Sequence, residues 1–166
     1  MLQPVVRRTW APQAHTPIHY SWDRHDRVSV ISAITVSPQR RRLGLYFDSY
    51  DHNIATEHFE QFVAAVLARL GRGIILVMDR WPVHRSAARR LVQRFARRLD
   101  LEWLPPYAPE LNPTEQVWSR TKYGDLPNYI PDNVRELNRA VRRSLRSSRR
   151  QQNLLRSFFK HAELSL

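Results

Sequence analysis

The apolar run Ile74–Met78 (IILVM) constrains the fold of this chain more than any other feature of the sequence. An unbroken apolar run of only five residues predicts a β-strand buried on both faces, as in an α/β sheet covered by helices. Asp79 follows directly, and open α/β sheets bind ligands at the carboxyl ends of their strands. The alternative is that Asp79 only caps the turn before Trp81 and Pro82. The run therefore predicts an α/β fold with a candidate site residue at Asp79.

Hydrophobic periodicity predicts further strands and helices on both sides of this run. We expect strands over 28–36, 43–47 and 101–104, and helices over 59–70, 86–99, from 112 or 113 onward, over 133–148 and on to 161. Gly71 is expected to end the first helix. The second helix is expected to bury Ala88, Leu91, Val92, Phe95 and Leu99. The order hairpin, helix, strand, helix, strand, helix is typical of an α/β fold.

The charge of the chain indicates a nucleic-acid-binding protein. Lys and Arg number 27 against 15 Asp and Glu, which gives a net charge of +12 and a pI of 11.2. A pI above about 9 is the electrostatic signature of nucleic-acid binding, and arginine binds phosphate through paired hydrogen bonds. Lys122 and Lys160 are the only lysines, so an arginine-rich genomic composition is an alternative source of the excess.

Other features of the composition exclude several classes of protein. The chain has no cysteine, which excludes disulfides and thiolate metal sites and favours a reducing compartment. No apolar run approaches the about 20 residues of a membrane span, and residues 1–20 lack the apolar core of a signal peptide. We therefore expect a cytoplasmic protein without a membrane partner.

A second carboxylate, Glu115, stands just inside a predicted helix start. Thirty-five residues lie between Asp79 and Glu115. Asn112 and Pro113 suit the first positions of a helix, and a Glu at the third helical residue completes a capping box. On that interpretation Glu115 only satisfies backbone N–H groups. The alternative is that it pairs with Asp79 in a functional site.

Two motifs around these carboxylates, residues 77–86 (VMDRWPVHRS) and 104–122 (LPPYAPELNPTEQVWSRTK), resemble the catalytic domain of DDE transposases. The resemblance is to the mariner-type branch, which includes bacterial insertion-sequence enzymes. Asp79 and His84 match the family's strand-end Asp followed by a turn and a His, and Glu115 matches its final catalytic Glu. The resemblance spans nearly the whole chain, because residues 8–12 and 16–17 look like the segment after the family's first strand.

The resemblance implies a ribonuclease-H-like fold, with a mixed sheet of about five strands flanked by helices. It also implies a site in which three carboxylates hold two divalent metal ions, usually Mg²⁺, with Mn²⁺ as a substitute. Asp79 and Glu115 are the expected catalytic residues and metal ligands. The expected nucleic-acid-binding residues are Arg80, which stands where the family usually has Asn, and His84, Arg85, Lys122, Arg135, Arg139, Arg142 and Arg146.

One side of the helix predicted from Asn133 carries the arginines Arg135, Arg139, Arg142, Arg146 and Arg149. Apolar residues such as Leu137 and Val141 lie on another side. A solvated basic face and a DNA-binding face have the same pattern, so both interpretations stay open. Trp118, one turn after Glu115, is expected in the core rather than stacked on a base.

The implied function is metal-dependent DNA strand cleavage and transfer in transposition, on transposon ends and target DNA, by a homo-oligomer if active. The alternative is a non-catalytic, DNA-binding remnant of a transposase. We expect a truncated ribonuclease-H-like core over 1–130 and a basic helical segment over 131–166 that packs on the core or is appended to it.

The truncation is expected because the family's first catalytic Asp precedes the segment 8–12, and no acidic residue occurs before Asp23. Asp23 and Asp26 fall in an expected loop or hairpin and are not assigned to the site. The first strand is thus expected to be missing, and an upstream segment or a second polypeptide would supply it. Without the first Asp the chain is expected to be inactive alone, and because loss of the strand would expose two strand edges, it is expected to be poorly stable.

Overall fold

A computed structural model describes residues 2, 5–8, 10–15, 18 and 27–166. Asp23 and Asp26, together with residues 9, 16 and 17 of the motif near the start of the chain, lie outside the described residues. The described elements, in chain order, are β1 (Ser29–Val36), β2 (Leu43–Tyr50), α1 (Thr56–Leu70), β3 (Ile74–Met78), α2 (Pro82–Phe95), β4 (Leu99–Trp103), a 3-10 turn (Pro109–Leu111), α3 (Pro113–Arg120), a π-helical turn (Thr121–Asp125), α4 (Val134–Arg149) and α5 (Gln152–His161). The predicted α/β order is confirmed.

The strands form two separate sheets. β1 pairs antiparallel with β2, so that Ser29 lies opposite Tyr50, and β3 pairs parallel with β4, so that Met78 lies opposite Trp103. The expected single mixed sheet of about five strands is not found, because within the described residues no strand joins the two pairs. An isolated antiparallel bridge links Leu2 to Val28, beside the start of β1.

The hairpin β1–β2 is covered on one face by the helices that follow in the second half of the chain. Val30 and Leu45 from the hairpin pack with Val117 of α3, Leu137 of α4 and Leu155 of α5, all of them buried. This first cluster includes the apolar side of α4 that the sequence predicts. The helices 134–149 and 152–161 therefore share one hydrophobic core with the hairpin.

The other face of the hairpin belongs to a second cluster. Ile31 of β1 packs there with apolar residues of α1, α2, β3 and β4, including Phe59, Leu67 and Leu91. Gly71 ends α1 as predicted: its φ of 64° lies in the left-handed region that glycine adopts most easily, and its N–H donates to Leu67 O. β1 thus contributes side chains to both clusters.

The prediction that Ile74–Met78 is buried on both faces is wrong. Successive side chains of a strand point to opposite faces, and α1 and α2 cover only the face of Ile74, Leu76 and Met78. On the opposite face, Ile75 is 67% exposed and Val77 is 55% exposed. The later helices pack against the hairpin instead of this face, so the apolar run lies on a sheet that is covered on one side.

The predicted boundaries of α2 also need correction. The helix runs from Pro82 to Phe95 rather than over 86–99, because proline suits the first turn of a helix as well as the turn before it. Ala87 and Leu91 are its buried residues, while Val92 is exposed. Leu99 is buried as expected, but as the first residue of β4, which spans 99–103 rather than 101–104.

α4 begins at Val134 with Asn133 as its N-cap, whose side chain accepts a hydrogen bond from the N–H of Glu136 at 3.0 Å. In the described ranges, no helix is both long enough and apolar enough to cross a membrane.

Candidate catalytic site

Asp79 lies at the carboxyl edge of the parallel sheet, directly after β3. The N–H of Leu104 donates to Met78 O at 2.9 Å, so the loops after β3 and β4 leave the sheet side by side. Asp79 Oδ1 accepts a hydrogen bond from the N–H of Trp81 at 2.9 Å. Asp79 therefore caps the turn after its strand and, with a side chain 46% exposed, also faces the open edge where α/β proteins bind ligands.

His84 is the second partner of Asp79. Its Nδ1 lies 2.8 Å from Asp79 Oδ1. This hydrogen bond is the main reason that the pKa of Asp79 lies below its usual value, and the Trp81 N–H lowers it further, whereas partial burial acts in the opposite direction. The sequence assigns His84 to nucleic-acid binding, but the structure places its side chain on Asp79, with only 17% of it exposed.

Glu115 is the third residue of α3, and Asn112 caps that helix as predicted. The Asn112 side chain accepts from the N–H of Thr114 at 3.0 Å. The N–H of Asn112 donates to Pro109 O at 3.0 Å, so this donor has a partner other than the Glu115 carboxylate that a capping box would use. Glu115 thus stands at the helix start without carrying the cap.

Asp79 and Glu115 lie near enough for their charges to interact. Burial first, and the negative charge of Asp79 second, raise the pKa of Glu115 above its usual value. Two partly buried carboxylates that repel each other form a set of hard oxygen donors, which suits a divalent cation such as Mg²⁺ or Mn²⁺. No group of three or more His, Asp or Glu side chains within the described residues is arranged to hold a metal ion. The pair therefore fits part of a carboxylate metal site.

The basic residues that the sequence assigns to nucleic-acid binding fall into two groups. Arg80 and Arg85 are exposed beside Asp79, on the loop after β3 and the first turn of α2. Of the four α4 arginines that the sequence assigns to nucleic-acid binding, three are also exposed, namely Arg135, Arg139 and Arg146.

Arg142 and Lys122 are instead engaged within the molecule. The Arg142 guanidinium donates to Ser49 Oγ at 2.9 Å, lies 3.6 Å from Asp48 Oδ1 and stands over the Phe47 ring. The Lys122 ammonium stands over the Tyr123 ring, 5.1 Å from its centroid. Arg142 therefore holds α4 to the end of β2.

Two further features are not evident from the sequence. Trp118, half-buried against the first cluster, donates from Nε1 to Ser32 Oγ at 2.6 Å, which fixes α3 to β1 close to Glu115. Tyr107, in the loop after β4, has a fully exposed side chain and a φ of 58°. Bulky residues rarely adopt that left-handed conformation.

Comparisons with known proteins bear on the family and the fold of this chain. The family described as DDE superfamily endonuclease matches residues 1–138. No curated protein matches the sequence significantly. The crystal structure of the Mos1 strand transfer complex has a similar fold, with a TM-score of 0.64 and 11% sequence identity over 98% of this chain and 48% of that chain.

This chain therefore spans about half the length of the solved chain that it resembles. The similarity confirms the ribonuclease-H-like α/β fold that the motifs predict. With a family match over most of its length, the chain belongs to the DDE superfamily of endonucleases.

Proposed function

We propose that this chain forms the catalytic domain of a transposase and takes part in metal-dependent DNA strand cleavage and transfer. The observation that carries the proposal is that Asp79, after β3, and Glu115, on α3, come from separate segments of a DDE endonuclease and lie near enough for the charge of Asp79 to raise the pKa of Glu115. The similar solved structure is a strand transfer complex, which supports DNA as the substrate class.

Asp79 and Glu115 are the residues that would hold Mg²⁺, with Mn²⁺ as a substitute. Their oxygens suit a hard divalent cation, and a cation would offset both the burial and the repulsion from Asp79 that raise the pKa of Glu115. When bound, such an ion neutralises charge on the reacting phosphate and acidifies the attacking hydroxyl group. The role of the two carboxylates is to fix the position of that charge at the edge of the sheet.

DNA would be held mainly through its phosphates. The net charge of +12 and the exposed Arg80 and Arg85 beside Asp79 support contact with the strand that is cut. Arg135, Arg139 and Arg146 offer a second basic face on α4. Because such contacts release counterions, affinity should fall steeply with salt and depend little on sequence.

A second candidate function is DNA binding without catalysis. The described residues bring together two carboxylates rather than three, and two ligands clamp a pair of metal ions less well than a full set. We therefore expect the 166-residue chain alone to nick DNA slowly, and to nick faster when extended upstream by a strand that ends in Asp.

Nicking of supercoiled plasmid in Mg²⁺ or Mn²⁺ tests the proposal, with the chain alone and the extended chain in parallel. Asp79→Asn and Glu115→Gln are expected to abolish nicking in the extended chain. Glu110→Gln is the matched control, because Glu110 is an exposed carboxylate of the 3-10 turn just before α3 and should be dispensable. DNA binding without nicking by either form would favour the non-catalytic function. Nicking that survives Asp79→Asn would place the site elsewhere.

A further inference from the structure

We propose that His84 is a positioning residue that holds the Asp79 carboxylate in one orientation, with Oδ1 occupied and Oδ2 left to bind the cation. The inference rests on the proposed role of Asp79 as a metal ligand and adds the group that orients this ligand. The expectation that His84 contacts nucleic acid stays a separate prediction.

The hydrogen bonds of Asp79 show which carboxylate oxygen is occupied and which nitrogen of the imidazole carries the hydrogen. Oδ1 receives two donors, the N–H of Trp81 at 2.9 Å and Nδ1 of His84 at 2.8 Å. The same Nδ1 lies 3.3 Å from the backbone carbonyl oxygen of Asp79. A carboxylate and a carbonyl only accept hydrogen bonds, so the hydrogen of the imidazole must be on Nδ1.

The imidazole is itself held by its surroundings. His84 lies in the first turn of α2, two residues after Pro82. Its ring packs against Phe59, with 4.3 Å between centroids, and the Trp81 ring meets it edge-on at 5.3 Å. With 17% of its side chain exposed, the ring has little freedom to turn away. The donor is therefore in place before any cation binds.

A neighbouring arginine is not the group that orients Asp79. Arg80 is exposed, and the hydrogen bonds that the described residues make to the Asp79 carboxylate come from Trp81 and His84. A charged guanidinium bound to Asp79 would compete with a cation for the carboxylate. An imidazole N–H occupies one carboxylate oxygen and leaves the other oxygen free to bind the cation. Groups that orient metal ligands typically change metal affinity by about 10- to 100-fold when removed.

The test uses substitutions that differ in where they place a donor. The amide nitrogen of Asn is as many bonds from the backbone as Nδ1, whereas that of Gln is one bond further, at the reach of Nε2. We expect His84→Asn to keep the Mn²⁺ affinity of the wild-type 166-residue chain, measured by electron paramagnetic resonance titration. We expect His84→Gln and His84→Ala to weaken it about tenfold, with Glu115→Gln as the reference for loss of a ligand.

The outcomes separate this inference from the proposed function. Absence of Mn²⁺ binding by the wild type overturns both. Binding that Glu115→Gln removes and the three His84 variants leave unchanged overturns only the positioning role. Equal loss in His84→Asn and His84→Gln also overturns it, because packing rather than the donor would then matter.

A second measurement decides the question if the weakened variants unfold. The imidazole Nδ1–H of the metal-free wild type should give a slowly exchanging NMR signal that Asp79→Ala abolishes. A signal that exchanges as freely in the wild type as in Asp79→Ala overturns the positioning role.

Discussion

The hydrogen bond between Trp118 and Ser32 gives the sharpest test of how the fold positions Glu115. Trp118 lies one turn after Glu115 on α3, and its Nε1 donates to Ser32 Oγ of β1 at 2.6 Å. Trp118→Phe removes the donor and part of a half-buried ring. An intramolecular hydrogen bond contributes about 1 kcal/mol net, and the smaller ring loses roughly another 1 kcal/mol of apolar burial. We therefore expect Trp118→Phe to lower the free energy of unfolding by about 2 kcal/mol.

A double-mutant cycle isolates the hydrogen bond. Ser32→Ala alone should cost about 1 kcal/mol, because it leaves the Trp118 N–H unpaired in a partly buried position. The double mutant should cost about 2 kcal/mol rather than the sum of about 3, since the shared bond can be lost only once. Urea unfolding in metal-free buffer resolves this difference, because a slope of about 2 kcal/mol per molar makes it a midpoint shift of about 0.5 M.

Trp103→Phe provides the control for this cycle. Trp103 packs in the second cluster, so its effect should add to that of Ser32→Ala. Additive effects of Trp118→Phe and Ser32→Ala would refute the argument that this bond fixes α3. We also expect Trp118→Phe to weaken Mn²⁺ binding, because a looser α3 moves Glu115.

Three further predictions concern charge and backbone conformation. Burial and the charge of Asp79 raise the pKa of Glu115 above its usual value. The protonated Glu115 side chain therefore favours the folded state in acid, and this stability is lost as pH rises through the folded pKa. In urea unfolding without metal, Glu115→Gln should therefore be more stable than the wild type at pH 7, and the difference should be smaller at pH 4. Equal stability of the two proteins at pH 7 would contradict the expected direction of the difference. Tyr107→Gly should raise the free energy of unfolding by about 1 kcal/mol because glycine tolerates positive φ, and thermal melts should show no such gain for Tyr107→Ala. Arg139→Gln should reduce the slope of log DNA affinity against log salt concentration by about one, without changing stability. Arg142→Gln should instead lower the free energy of unfolding by about 1 kcal/mol. The reverse pattern would show that the two arginines are wrongly assigned.

Local patterns in the sequence predict most of the elements. The β-branched run in β1, the apolar spacing of α1 and the glycine at position 71 each act over a few residues, so their outcome depends little on the rest of the chain. The Asn112 cap and the Ile74–Met78 strand were predictable for the same reason. The pairing of Asp79 with Glu115 required the family resemblance, because the intervening residues give no local signal that the two meet.

The features that were missed depend on contacts between distant segments. Whether both faces of β3 are covered depends on where α3, α4 and α5 pack, and Ile75 and Val77 have the same apolar character in either case. The Trp118 bond joins positions 86 residues apart, which periodicity cannot reveal. The hydrogen bond from His84 to Asp79 likewise depends on distant packing, because the ring of Phe59 on α1 lies against the imidazole.

The division of the core into two clusters gives the candidate site a mechanical consequence. Asp79 follows a strand of the second cluster, whereas Glu115 lies in the first turn of α3, whose buried residue, Val117, belongs to the first. An ion held by both carboxylates would act as a cross-link between two clusters that share the hairpin β1–β2. Binding of the ion and packing of the two clusters against each other would then strengthen one another. At a concentration ten times its dissociation constant, the ion stabilises the packed state by about 1.4 kcal/mol, and a chelator removes the same amount.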